Sequence, residues 1–296
     1  MIGSIILRHD PVLKWERYLK TLVPLGDRGP CEMYFSAYRA EDRAEGGLYS
    51  LSFQVAAREN LLKELYENAL GRMVEAWGYG LEPDFEGRVV EVVFNLPPDR
   101  FTISLDLMTN KTWMRADIDD DGVVERTTTI ENTDSQARYG ISEAVLGGGE
   151  VQGLAVGDQA IQAYIDLRAF AKPAADFGGG QGAPYVELFC RGYIHTLDMR
   201  TYNQTAVTGT QSLSSEVADI IGSVGQFIDS VETEPNTTSV SRENDADRKA
   251  KDILFDMASL GDQDAHRFLL QGAGRSCTNA IGRRVLLKQA APVTVP

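Results

Sequence analysis

Apolar and polar positions alternate most regularly between residues 85 and 143, and the rest of the chain is best read outward from there. Residues 88–94 are rich in β-branched side chains and close on Asn95 and the Pro97-Pro98 break. Residues 101–105 alternate at period two, the pattern of a half-buried strand. Residues 112–116 and 123–130 flank Asp119-Asp120-Asp121-Gly122, so strand, acidic glycine turn and strand predict a hairpin.

Upstream, residues 5–7, 32–38 and 48–55 read as strands, with the polar stretch 39–47 as a hairpin loop. Residues 11–22 fit either a short amphipathic helix or an extended loop. Residues 59–74 predict a helix, because Leu62, Leu65, Tyr66, Ala69 and Met73 share one face. Gly71 weakens its last turn. Downstream, the glycine-rich residues 142–158 predict a long exposed loop, 157–171 a helix, 177–182 a flexible turn and 185–194 another central strand. From Leu213 a helical apolar face runs through Val217, Ile220, Ile221, Val224 and Phe227 to Val231, interrupted by Gly222 and Gly225. Residues 232–245 read as a polar linker, and 247–260 as a second helix stopped by Gly261. Residues 290–296 read as an extended or disordered tail.

These elements predict an α+β, mainly β protein in three parts. Residues 1–84 form an N-terminal β region with one amphipathic helix, 85–202 a central β domain, and 203–296 a helical C-terminal segment containing the linker.

Composition narrows the function. The 296 residues are 43% hydrophobic, enough for a core, and carry 29 basic against 43 acidic side chains, a net charge of −14. Such a surface repels phosphate backbones and disfavours sequence-reading contacts to DNA. No run of eighteen apolar residues exists, so no segment is expected to span a membrane. Residues 1–7 lack the basic leader of a signal peptide. Cys31, Cys190 and Cys277 are too scattered for a disulfide framework or a local metal site.

Candidate chemistry is sparse. Asp117, Asp119 and Asp121, followed by Gly122, match the first half of a calcium loop, with Glu125 at its ninth position. Thr128 replaces the bidentate glutamate, and a solvated hairpin turn explains the same residues. His9, His195 and His266 lack metal-site spacing, and His195 reads as a structural hydrogen-bonding group. No nucleophile elbow or phosphate loop occurs. Paired carboxylates such as Glu82 and Asp84 arise readily in an acidic chain. No cofactor and no catalysis are expected. Trp77 and Tyr79 fit a packed aromatic turn or a platform for stacking a ligand.

Gly71-Arg72-Met73-Val74 followed by Phe85-Glu86-Gly87-Arg88-Val89 resembles the Trp/Phe-Glu-Gly-x-Val passage common in long-tailed bacteriophage tail proteins. Ser135-Gln136-Ala137-Arg138-Tyr139-Gly140-Ile141-Ser142-Glu143 resembles the Ser-x-x-x-Tyr-Gly-x-x-Glu segment of tail-tip and baseplate hub proteins, which likewise follows an Asp-Gly hairpin. Residues 187–193 and 250–262 are similar to downstream pieces of the same proteins, so the likeness extends in patches over 48–270. The glycine-rich stretch 147–157 departs from the pattern.

The resemblance implies tube- or hub-type β-barrel or sandwich domains with peripheral helices. It also implies a structural virion protein, made in the host cytoplasm, that assembles with copies of itself and neighbouring tail or baseplate proteins as a ring or plug around the tail axis. DNA would pass an acidic lumen without specific binding. Gly147, Gly148, Gly149, Phe177 and Gly179 in loops, and Val217, Ile221 and Phe227 on a helix face, are the expected contacts. Two rivals are a β module binding host-surface saccharide through Trp77, Tyr79 or Trp113, and a carboxylate-based hydrolase.

Overall fold

The computed structural model describes residues 4–8, 35–43, 46–57, 59–77, 83–118, 120–150, 153–176, 178–204, 211–228, 230–233, 239–240, 244–260, 268–273 and 284–289. In chain order the strands are β1 (Ser4–Arg8), β2 (Ser36–Arg43), β3 (Gly46–Ala56), β4 (Met73–Trp77), β5 (Pro83–Leu96), β6 (Asp99–Ser104), β7 (Lys111–Asp117), β8 (Glu125–Arg126), β9 (Ile130–Glu131) and β10 (Glu143–Glu150). They continue with β11 (Ala174–Ala175), β12 (Tyr185–Gly192), β13 (Thr201–Gln204), β14 (Gln211–Ser212), β15 (Ser230–Thr233), β16 (Ser239–Val240), β17 (Asn244–Lys249), β18 (Phe268–Ala273) and β19 (Arg284–Gln289). The helices are α1 (Glu59–Asn68), α2 (Thr133–Tyr139), α3 (Leu154–Arg168), α4 (Leu213–Val224) and α5 (Ala250–Leu260), with a 3-10 helix over Tyr193–Met199. More of the described residues are strand than helix, as the patterning predicts.

Eleven strands share one mostly antiparallel sheet in the order β1-β4-β5-β12-β3-β18-β19-β15, with β2 on β3, β6 on β5 and β11 on β6. Of the barrel or sandwich expected, a closed barrel is not formed among the described residues, because the path starts at β1 and ends at β15 without joining them. β5 and β12 are central, and Phe85, Val89, Val92, Phe94, Val186 and Leu188 are almost fully buried. Each such side chain contributes roughly 1.5–3 kcal/mol. Phe94 stacks on its cross-strand partner Phe101 at 4.7 Å between centroids. Tyr66 of α1 meets both rings edge-on, so this aromatic pair seats the helix.

Several boundaries differ from the sequence expectation. The first helix stops at Asn68 rather than continuing to Val74. Gly71 turns at φ +82°, its N–H donates to the Val89 carbonyl at 2.9 Å, and the chain is pulled into β4. Residues 143–150 form a strand rather than an exposed loop: β10 runs parallel to β7, with Val145 opposite Trp113 and Gly147 opposite Arg115. Ladder hydrogen bonds belong to the backbone, so glycine does not prevent them. The turn after β11 is also tied down. The Asn95 amide nitrogen donates to the Gln181 and Ala183 carbonyls at 2.9 and 3.2 Å, and the Gly180 N–H donates to the Pro98 carbonyl.

The C-terminal part packs around a second core. Ile220, Ile221 and Val224 of α4 meet Ile253, Leu254 and Met257 of α5, together with Ile194 and Leu197 of the 3-10 helix. Ser212 caps α4 by accepting from the Ser215 N–H. The second helix begins at Ala250 instead of Asp247, because residues 244–249 pair as β17 with β13. The stretch read as a polar linker holds the end of β15, all of β16 and the start of β17, each paired through its backbone. Residues 11–22 and 290–296 lie outside the described residues.

Candidate functional site

The segment carrying the hub-protein resemblance is a joint. Asn132 caps α2 by accepting from the Ser135 N–H at 2.9 Å. The buried Ser135 hydroxyl accepts from the Asn110 amide and donates to the Ala169 carbonyl. Tyr139 is buried, and its carbonyl accepts from Arg88 Nη2 at 2.9 Å. Arg88 Nε donates to the Gly71 carbonyl, and its guanidinium lies 3.8 Å from the centroid of the Phe227 ring. Gly140 has φ +80°, and a Cβ there would overlap the same ring. Only glycine fits that position. The Gln226 side chain exchanges two hydrogen bonds with the Ile141 backbone. One short segment thus joins the large sheet, the small sheet and the C-terminal core.

Glu143 completes the joint. Its side chain is 4% exposed and lies 3.3 Å from both Lys111 Nζ and Arg200 Nε. Oε2 accepts from the Thr201 backbone N–H at 2.8 Å and from the Thr201 hydroxyl at 3.1 Å. Lys249 Nζ donates to the Glu143 carbonyl at 2.9 Å. Burial pushes the Lys249 ammonium below its ordinary pKa, opposed by the charges of Glu143, Asp198 and Asp252.

Beside this network lies a cavity of about 330 Å³ lined by residues from β5, β10, β12, β17, the 3-10 helix and the loop after β6. His195 reaches it from the 3-10 helix, 7% exposed, with Tyr49 edge-on to its ring at 4.5 Å. Its Nδ1 is 3.6 Å from Asp198 Oδ2, too far for a hydrogen bond, and neither ring nitrogen has a hydrogen-bond partner. The structural hydrogen bond expected of this histidine is therefore not made. Asp198 also faces Lys251 Nζ at 2.5 Å. Burial raises the Asp198 carboxyl, but the facing His195 and Lys251 outweigh it and hold the group below the usual aspartate range.

The other candidates scatter. Both Asp117 carboxylate oxygens accept from turn N–H groups, of Asp121 and Gly122, and Asp121 accepts from Val123. These are turn-closing bonds. Asp119 lies outside the described residues, and no group of three potential metal ligands occurs among those described. Val217, Ile221 and Phe227 are buried within the chain, so the stripe expected to meet a neighbour is covered by the chain itself. Gly179, at φ +66°, sits in the turn docked on the end of the β5–β6 hairpin. Gly147, Gly148 and Gly149 lie in β10, and a Cβ at Gly147 would meet open space. Trp113 is buried, its Nε1 donates to Asp247 Oδ2 and Arg126 covers its ring, which removes it as a saccharide platform. Tyr79, Phe177, Glu82, His9 and His266, together with the Trp77 side chain, lie outside the described residues.

Sequence reasoning did not single out Arg200, Lys249 or Asp198. Their partners are distant in the chain, and no local spacing marks them. Compared with protein-family models, curated proteins and solved structures, the chain matches none.

Proposed function

We propose that this protein is a structural component of a long-tailed phage tail or baseplate, working through contacts between subunits. The observation that carries the reading is the use made of the hub-like segment. Ser135, Tyr139, Gly140 and Glu143 each hold one layer of the molecule against another. A segment spent on internal joints fits a part whose task is to keep its shape under load. The −14 charge suits a lumen that DNA must pass without sticking.

With the α4 stripe covered internally, the contacts with neighbours fall elsewhere. Leu107 and Leu167 are 70% and 66% exposed, and their segments are tied together where the Thr109 N–H donates to the Arg168 carbonyl. The glycine strand β10 adds backbone at the end of the small sheet. Labelling of native particles with an antibody to this chain, followed by imaging of the tail, tests the assignment. Stoichiometric density in a ring at the tail end is expected, and absence of the chain from purified particles would overturn it. In the same system, replacing both Leu107 and Leu167 with Asp should block incorporation while leaving the isolated chain folded.

A further inference from the structure

The cavity beside Glu143 is lined by the buried His195 and by Lys249. Polar groups that deeply buried are ordinarily paired, yet both His195 ring nitrogens lack hydrogen-bond partners. Lys249 Nζ has three N–H donors, of which the Glu143 carbonyl takes one. Leu105, Met108 and Met199 supply an apolar wall to the same space. Its lining carries three cations (Arg88, Arg191 and Lys249) and three carboxylates (Asp106, Glu143 and Asp198). The lining is thus balanced in formal charge, within a chain of net charge −14. The volume is at the lower end of the range typical of small-molecule sites.

We propose that the cavity binds a small carboxylate with a short aliphatic body. The ligand's carboxylate accepts from His195 and Lys249, and its body lies against Leu105, Met108 and Met199. Binding supplies the hydrogen bonds that the imidazole lacks and negative charge to the half-buried Lys249 ammonium.

The test uses the full chain with hexanoate, its neutral amide and inorganic phosphate as probes. Calorimetry should show saturable binding of hexanoate, at least tenfold tighter than either of the other two. Nitrogen-detected NMR of the unmodified protein should show the His195 ring resonances moving along the same binding curve. His195→Gln and Lys249→Met should each weaken hexanoate binding at least tenfold, provided their unfolding midpoints show that they fold. If a variant does not fold, the ring resonances of the unmodified protein decide. Absence of saturable hexanoate binding, or binding with a stationary His195 signal, overturns the proposal. Equal binding of the amide overturns the carboxylate assignment, and equal binding of phosphate overturns the apolar subsite.

Discussion

Oε2 of Glu143 accepts a hydrogen bond from the backbone N–H of Thr201 at 2.8 Å, 58 residues further along the chain. The same carboxylate faces Lys111 and Arg200 at 3.3 Å. Removing one member of a buried pair strands the charges that remain, which typically costs about 3–5 kcal/mol. Glu143→Ala should therefore lower unfolding stability by an amount of that order in urea denaturation, and Glu143→Gln, which keeps an acceptor for Thr201, by distinctly less. Equal losses for the two would mean that the acceptor retained for Thr201 contributes nothing.

Gly140 and Phe227 test the joint sterically. A side chain at Gly140 meets both a backbone conformation that favours glycine and the Phe227 ring. Gly140→Ala should cost about 1–3 kcal/mol from the backbone alone, with a further loss from the overlap. Adding Phe227→Ala should recover only the overlap in a double-mutant cycle. Strictly additive effects would show that the two do not meet.

Asp198 gives a pH signature. Its folded-state pKa is lowered from 3.8, so its contribution is fully present above that value and is lost as the pH falls through the lower folded one. The stability difference between the unmodified protein and Asp198→Asn should be present at about pH 5 and shrink on further acidification. A difference that persists unchanged at the lowest pH where both remain folded would contradict the pairing with His195 and Lys251.

Cys190 lies 1% exposed in the central strand β12, and burial pushes its thiol well above the usual range. In a Cys31→Ser, Cys277→Ser background the remaining thiol should react with iodoacetamide only as fast as the protein opens. Rapid labelling of the native state would place Cys190 at the surface.

The sequence by itself determined the elements whose signal is local. Alternation at 101–105 marked β6, the acidic glycine turn marked the β7–β8 hairpin, and helical spacing marked the apolar faces of α1, α4 and α5. Hydrophobic periodicity is written into neighbouring residues and survives without knowledge of the fold. Tertiary structure decided what those faces meet: α4 packs on α5 rather than on a neighbour, and Tyr66 sets α1 on Phe94 and Phe101. It also made a strand of Gly147-Gly148-Gly149, because a ladder is built from backbone groups that composition does not report. Nothing in the sequence marked residues 135–143 as a joint. The contacts of Glu143 with Thr201 and Lys249 span 58 and 106 residues, and the empty space beside His195 exists only once β5, β12 and β17 are brought together. Hydrogen bonds and cavities depend on distance in space, and over such separations the order of residues alone does not specify it.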